Sequence, residues 1–309
     1  MTKHVILTGG GGFIGSHLAD ALVARGERVT IIDNFLSGKL ENLAAVVDEI
    51  DLIEADFESL ESYADRIGKV DTIIHLAALI SGHDSLVDPL PYQQTNVLGL
   101  HALIEFVRKQ GIGRILFASS STVYGQQAAA EVTELALPRP ASVYALSKLA
   151  GEYLLDMYGK LYGFSHCSLR LFNVYGPRQA TDHPYANVAC KFANAAANDL
   201  PVLRYGDGNQ SRDFVYVADV VDAFIAALDV ANANVYNVGT GSDHSINQLL
   251  RVLGNLTGRA VAIEDRPAWP NDIRQIRANM DQFEDDFGFR PGIDIGQGLA
   301  ATVEFFQSA

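Results

Sequence analysis

The feature that most restricts how this chain can fold is the run Thr8-Gly9-Gly10-Gly11-Gly12-Phe13-Ile14-Gly15. Glycine loses more backbone freedom on ordering than any other residue, so such a cluster suits a sharp turn or a close approach to main chain better than the interior of a helix or strand. The flanks decide its use. Residues 3–8 are a short, nearly continuous apolar run of the kind a buried parallel strand carries, 16–25 read as a helix, and 28–33 as a second strand ending in Asp33. Strand, glycine turn, helix and strand-ending acid form the layout of a dinucleotide site: the main chain closes on a pyrophosphate, and the helix N-terminus offers N–H groups and a positive dipole end. Both G-x-G-x-x-G (Gly10, Gly12, Gly15) and G-x-x-G-x-x-G (Gly9, Gly12, Gly15) fit the run. Asp33 follows Gly15 by 18 residues, where a carboxylate accepts both ribose hydroxyls and repels a 2'-phosphate, which favours NAD over NADP. The competing picture, a flexible loop beside a solvated Asp, leaves the flanking periodicity unexplained.

The alternation continues. Helices are expected over 40–48 and 58–67, strands over 51–54 and 71–75, the latter running into Leu76-Ala77-Ala78, and a long helix over 88–110 that contains Asn96. A strand over 114–118 delivers Ser119-Ser120-Ser121-Thr122-Val123-Tyr124-Gly125, followed by a helix over 142–162 and a strand over 165–170. This predicts an α/β fold, a Rossmann-type doubly wound parallel sheet. Beyond residue 170 the alternation loosens: helices over 184–198, 218–231 and 245–258, short strands over 201–205 and 235–238, a turn over 206–209 leading into 212–217, and a terminal helix. Residues 1–170 are expected to form mainly the dinucleotide domain. Residues 171–309 are expected to form mainly a smaller, interleaved C-terminal α/β substrate lobe, with some segments returning to the sheet.

Bulk properties exclude several partners. At 309 residues and 48% apolar composition the chain supports a large core, while a formal charge of -14 argues against nucleic acid and anionic membrane surfaces. An anionic substrate then needs local cations, and Arg212 and Arg274 are either such a clamp or ordinary surface ion-pair partners. The N-terminus lacks a signal-peptide pattern, and no apolar run reaches the ~18 residues of a membrane span. Cys167 and Cys190 have no metal spacing and fit buried thiols in a reducing cytoplasm; no metal site is expected.

The chemistry is concentrated in Tyr144 and Lys148, which share a face of one predicted helix. A phenol ionises near ~10, and lowering it by about three units takes roughly 4 kcal/mol of differential interaction, which an adjacent ammonium could supply. The spacing alone is common in surface pairs. Hydroxyls at the end of the 114–118 strand are placed to hydrogen-bond a substrate alcohol, although Ser and Thr serve equally often as turn and cap residues. Asn96 is either a site residue or a satisfied core amide.

Together, Thr8-Gly9 through Gly15, Asp33-Asn34, Asp56-Phe57, His75-Leu76-Ala77-Ala78, Ser119 to Gly125, Tyr144-x-x-x-Lys148, 169–177 and Arg212-Asp213-Phe214-Val215-Tyr216-Val217-x-Asp219-Val220 resemble the extended short-chain dehydrogenase/reductase family. Within it the chain is most similar to the NAD-dependent nucleotide-sugar epimerases, UDP-hexose 4-epimerases above all. The resemblance implies Tyr144 as catalytic base, Lys148 as the residue that lowers its pKa and holds the nicotinamide ribose, and Ser120 as partner of the sugar hydroxyl. It implies Gly9, Gly12, Phe13, Ile14 and Gly15 at the pyrophosphate, Asp33 and Asn34 at the adenosine ribose, and Asp56 and Phe57 at the adenine. Leu76, Ala77, Ala78, Asn96 and Phe172 would line the cofactor further along. Asn173, Asn187, Tyr205, Arg212 and Arg274 would hold the diphosphate of a nucleotide-sugar substrate, UDP-linked in most of the group. A homodimer through the helices that contain Asn96 and Tyr144 is also implied.

Relatives with other activities differ at the strand end. The 4,6-dehydratases place an Asp-Glu pair where this chain has Ser121 and Thr122, and the decarboxylases keep a Glu near there; neither residue here supplies a carboxyl group. A uronate 4-epimerase, a decarboxylase, a 4-keto sugar reductase and a non-enzymatic NAD-binding regulator are the alternatives, the last with no need of Ser120, Tyr144 and Lys148 together. The chain departs from the group at Trp269-Pro270-Asn271-Asp272, where many members read Arg-x-Gly-Asp, leaving Arg274 to compensate. At Ile276, some epimerases carry a bulky Tyr that resembles a gate against 2-acetamido sugars. Ile leaves room for an N-acetylated UDP-sugar, or is merely core packing.

Overall fold

A computed structural model describes residues 2–182, 186–230, 234–268 and 273–308. The departed motif 269–272 and the expected helix ends at 184 and 231 lie outside them. Seven strands form one parallel sheet in the order Asn234–Val238, Ser165–Leu171, Arg114–Ser120, Thr72–His75, His4–Thr8, Arg28–Asp33, Asp51–Glu54. The order reverses beside His4–Thr8, whose Val5 pairs with Thr72 on one side and Val29 on the other. Such a reversal opens a crevice at the strand ends, and the two loops that leave there are the glycine turn and Leu76-Ala77-Ala78. The central strands carry apolar runs in their middles, Val5, Ile6 and Leu7, Ile73 and Ile74, and Ile115, Leu116 and Phe117, because both faces are covered. Ile6, Ile32, Ile53, Ile73, Ile115 and Phe117 pack in one core with Leu100, Leu103, Ile104 and Leu155 from flanking helices.

Several expected helices take other forms. Only Leu40–Leu43 of the 40–48 stretch is helical, as a 3-10 turn, and Phe57–Tyr63 is a 3-10 helix running into the short α-helix Ala64–Ile67. The expected long helix is broken into Leu90–Gln93, a π-helical turn Gln94–Leu98 and Gly99–Gln110. The wide turn contains Asn96, and such turns re-aim a side chain within a helix. The Asn96 Oδ1 accepts from the Leu79 N–H at 2.9 Å, and its Nδ2 donates to the Leu79 carbonyl at 2.9 Å and to Ser147 Oγ at 3.0 Å.

The chain divides into two compact units. The first comprises 1–123, 138–170 and 221–236; the second comprises 124–137, 171–220 and 237–309. The segment 124–137, expected with the first 170 residues, belongs to the second because its strand Glu131–Val132 pairs with Gln275–Ala278. In the second unit that pair joins Ser211–Arg212 and His244–Ser245 in a four-stranded sheet, and Val202–Tyr205 pairs with Ile263–Arg266. Asp213 ties this unit together. Fully buried, its carboxylate accepts from Thr240 N (2.8 Å), Thr240 Oγ1 (2.7 Å), Gly241 N (2.9 Å) and Ala278 N (3.1 Å).

Candidate active site

In the first unit the glycine run forms a tight turn at the crevice. Gly9 has φ +74°, and a Cβ there would meet Ala77 N at 2.8 Å, so the turn and the small residues after His75 press main chain against main chain. A Cβ on Gly15 would strike the Gly9 carbonyl oxygen. The helix Phe13–Ala24 begins immediately, leaving the first-turn amides of Phe13, Ile14 and Gly15 without intrahelical acceptors. Asp33 closes the turn from the next strand: buried, it accepts from Gly11 N and Phe35 N, each at 2.8 Å. Asn34 donates to Asp56 Oδ1 at 2.7 Å, joining two residues assigned to the adenosine end. Phe57 is buried against His75.

Ser120, Tyr144 and Lys148 are brought together in the same unit. Ser142 caps the helix Val143–Tyr162, its side chain accepting from Ala145 N, and Ser85 Oγ accepts from Tyr144 N at 3.1 Å. The Ser120 hydroxyl lies near enough to the Tyr144 phenol to draw its pKa down. Thr122 donates to Ser120 Oγ from its hydroxyl at 2.9 Å and its N–H at 3.2 Å, holding that serine in place. Lys148 is buried, with Nζ 2.8 Å from the Ala118 carbonyl, 4.9 Å from the Phe117 ring centre and 6.0 Å from that of Tyr144.

Burial changes the expected electrostatics. It lowers Lys148 to about 7, so its ammonium is not a fixed charge at neutral pH. Burial also raises the Tyr144 phenol, with the neighbouring Ser120 hydroxyl pulling the other way. The simple picture of a permanent cation lowering the phenol therefore needs revision. His75, bonded through Nδ1 to Thr8 Oγ1 at 2.7 Å, is pushed down to about 3 by burial and then by Lys148, which keeps it neutral.

In the second unit a cavity of about 200 Å³ is lined by Asn173, Val188, Phe192, Leu203, Tyr205, Gln210, Arg212 and Ile246. Three of the five expected substrate residues, Asn173, Tyr205 and Arg212, meet there. Arg212 Nη1 donates to the Ser211 carbonyl at 2.8 Å and the Ile273 carbonyl at 2.5 Å. Asn187 and Arg274 are absent from the lining. Asn187 caps the helix Val188–Ala197 by accepting from Ala189 N at 2.8 Å, and it donates to the Val174 carbonyl at 2.9 Å. Arg274 makes a bidentate, exposed ion pair with Asp207 at 2.9 and 3.1 Å. Leu203 and Gln210, not singled out in the sequence, each lie two residues from a lining residue that was, Tyr205 and Arg212. That period-2 spacing was the available signal. Phe172 is buried in this unit, its N–H donating to the Val238 carbonyl at 2.9 Å, and Ile276 is buried in its strand. Among the described residues no cluster of His, Cys, Asp and Glu could hold a metal ion, and no helix is long and apolar enough to cross a membrane.

The defining pattern of the NAD dependent epimerase/dehydratase family matches residues 5–239. The chain belongs to that family. It is 37% identical to the UDP-glucose 4-epimerase of Mycolicibacterium smegmatis over 313 residues, covering 98% of each chain. Its fold is similar to that of a UDP-N-acetylglucosamine 4-epimerase from Methanobrevibacter ruminantium solved with UDP-N-acetylmuramic acid, at TM-score 0.93, 36% identity and 99% coverage of both chains. The UDP-glucose 4-epimerase of Thermus thermophilus, solved with NAD, is similar at TM-score 0.91 and 35% identity, again covering 99% of both chains. The glycine turn of this family member fits the family's cofactor: first-turn amides suit a pyrophosphate, Gly9 and Gly15 keep the cradle clear of side chains, and the Asp33 carboxylate keeps free lone pairs for ribose hydroxyls.

Proposed function

We propose that the protein is an NAD-dependent UDP-sugar 4-epimerase, interconverting UDP-glucose-type and UDP-galactose-type sugars through a transient 4-keto sugar. The observation that carries this reading is the strand end. The Ser120 hydroxyl lies beside the Tyr144 phenol, and the next positions hold Ser121 and Thr122, the latter spent on fixing Ser120. Alcohol–ketone chemistry is provided for, whereas elimination of water lacks its carboxyl groups there. Tyr144, as phenolate, takes the proton of the sugar C4 hydroxyl, and Ser120 orients that hydroxyl. Lys148 holds the nicotinamide ribose, and Asn173, Tyr205 and Arg212 hold the nucleotide diphosphate. NAD, when bound, supplies the hydride acceptor and donor and a positive charge on its oxidised ring. The 4-keto sugar then swings about its diphosphate link and receives the hydride back on the other face of C4, while Tyr144 returns the proton to the C4 oxygen. Net redox is zero, so the cofactor stays with the protein.

The likeness to a UDP-N-acetylglucosamine 4-epimerase supports acceptance of the N-acetylated pair as well, while Ile276 itself is buried in its strand and outside the cavity lining. The helix Val143–Tyr162 exposes Leu146, Tyr153, Met157 and Leu161 along one side, and Leu90 and Leu98 are exposed nearby in sequence to Asn96. This apolar surface supports a homodimer. Cys167 and Cys190 are buried and not joined in a disulfide, which suits a reducing cytoplasm. Incubation with UDP-glucose, UDP-N-acetylglucosamine and UDP-glucuronate, with C4 configuration read by NMR, tests the proposal. Inversion of either of the first two is expected. Inversion of glucuronate alone, loss of carbon dioxide, or bound NAD with all three sugars unchanged would each refute it.

A further inference from the structure

We propose that Glu152, clamped by Arg170, is a positioning residue that sets the register of the helix carrying Tyr144 and Lys148 against the strand end carrying Ser120. The inference rests on the reading of those three as the catalytic set.

Tyr144, Lys148 and Glu152 follow one another at intervals of four on one helix, hence on one slowly drifting face. Each reaches one of three consecutive strand residues. Lys148 donates to the Ala118 carbonyl at 2.8 Å, Ser119 Oγ donates to Glu152 Oε1 at 2.5 Å, and the Ser120 hydroxyl lies beside the Tyr144 phenol. The Glu152 carboxylate is itself fixed by Arg170, from Nε to Oε1 at 3.0 Å and from Nη2 to Oε2 at 2.7 Å. Ser119, Glu152 and Arg170 are exposed by only 3%, 1% and 4%.

A buried ion pair is a weak source of stability, because apolar residues of the same volume often do as well. What it supplies here is direction. Beside it the helix approaches the strand through Gly151, where a Cβ would meet the Phe117 ring at 2.7 Å and Leu100 Cδ2 at 3.1 Å. Such a smooth apolar contact holds two elements together but does little to stop sliding along the helix axis. The Ser119–Glu152–Arg170 bonds do stop it. A slip of about 1 Å costs a reaction up to roughly a hundredfold when the reacting groups lose alignment.

The test uses the full-length holoenzyme. Ser119→Ala removes the middle rung and leaves the ion pair intact; Glu152→Leu combined with Arg170→Met removes both charges and leaves neither unpaired. In both, bound NAD and KM should stay within about twofold of the parent while kcat falls at least tenfold, the signature of lost alignment without lost binding. The kcat–pH profile should also move to higher pH, because the Ser120 hydroxyl that lowers the phenol is drawn away from it. Near-parental kcat with an unmoved profile, accompanied only by a lower melting temperature, would overturn the proposal. Should the double variant not fold, Ser119→Ala decides alone. Tyr144→Phe run in parallel separates the two levels: its retention of turnover sinks the catalytic assignment, whereas its inactivity beside a fully active Ser119→Ala sinks only the positioning role.

Discussion

Lys148 should make the protein less stable at neutral pH than at alkaline pH, and Lys148→Met should remove that dependence. Its pKa falls from 10.5 to about 7 on folding, with burial as the cause. Between those values the unfolded chain binds more protons at this position than the native one, so stability rises with pH there. Each pKa unit is worth about 1.4 kcal/mol, so burying the ammonium costs roughly 5 kcal/mol below pH ~6, where both states are protonated. Integrating the same linkage gives about 4 kcal/mol of cost at pH 7 and about 2 at pH 9, a gain near 2 kcal/mol over that interval. Met keeps most of the apolar stem without a charge to desolvate, so the variant is expected to be more stable than the parent at pH 7 and to lose about half of its advantage by pH 9. Urea unfolding of the NAD-free protein at both pH values, followed by far-UV circular dichroism, measures the difference. A parent–variant gap that stays constant to within about 0.5 kcal/mol would refute the argument, because a solvated ammonium has no desolvation to recover. The variant should also be catalytically impaired, which makes Lys148 a residue kept for chemistry at the expense of stability.

Three further outcomes follow from the geometry. Tyr144→Phe should lower kcat by about a hundred- to ten-thousand-fold while leaving the circular dichroism spectrum unchanged, checked by coupled assay and spectrum on one sample. Gly15→Ala drives a methyl into the Gly9 carbonyl, and the overpacking, of order 1–3 kcal/mol, should appear as NAD lost during desalting and a lower melting temperature. Met157→Glu with Leu161→Glu puts charge on the exposed apolar side of the helix Val143–Tyr162 and should shift the sedimentation coefficient from dimer to monomer; an unchanged coefficient would place the interface elsewhere.

What could be read from the sequence, and what could not, divides by the range of the interactions involved. The glycine turn, the Asp33 strand end and the Tyr144–Lys148 pair are local patterns whose geometry is fixed within one or two elements, and all fall where their spacing says. Helical character over 58–67 and 88–110 was legible, its form was not. A 3-10 stretch and a π turn answer to distant partners: Asn96 to Leu79 and Ser147, Gly99 to the Phe57 ring. The substrate residues show the same division. Arg212 opens the stretch after the 206–209 turn that the sequence marks, whereas Arg274 is drawn to Asp207, 67 positions away, an attraction no local pattern records.

Burial is the second quantity the sequence withholds, and it decides the chemistry. Spacing alone makes Lys148 a permanent ammonium that lowers a phenol. Enclosure makes it a group near its own titration point, with the carbonyl of Ala118 as its nearest hydrogen-bond partner and a neutral His75 within electrostatic reach. A site in which both base and neighbour are held away from their charged states is poised to respond to an added charge, and the oxidised nicotinamide brings one. It follows that the apparent pKa of the Tyr144 phenol should be lower with oxidised than with reduced cofactor bound. A difference of one unit corresponds to about 1.4 kcal/mol of coupling between cofactor charge and proton. Phenolate absorbance titrated in the two redox forms, with Tyr144→Phe as the blank, measures that coupling directly, and equal values in the two forms would leave Lys148 and Ser120 as the only means of activating the base.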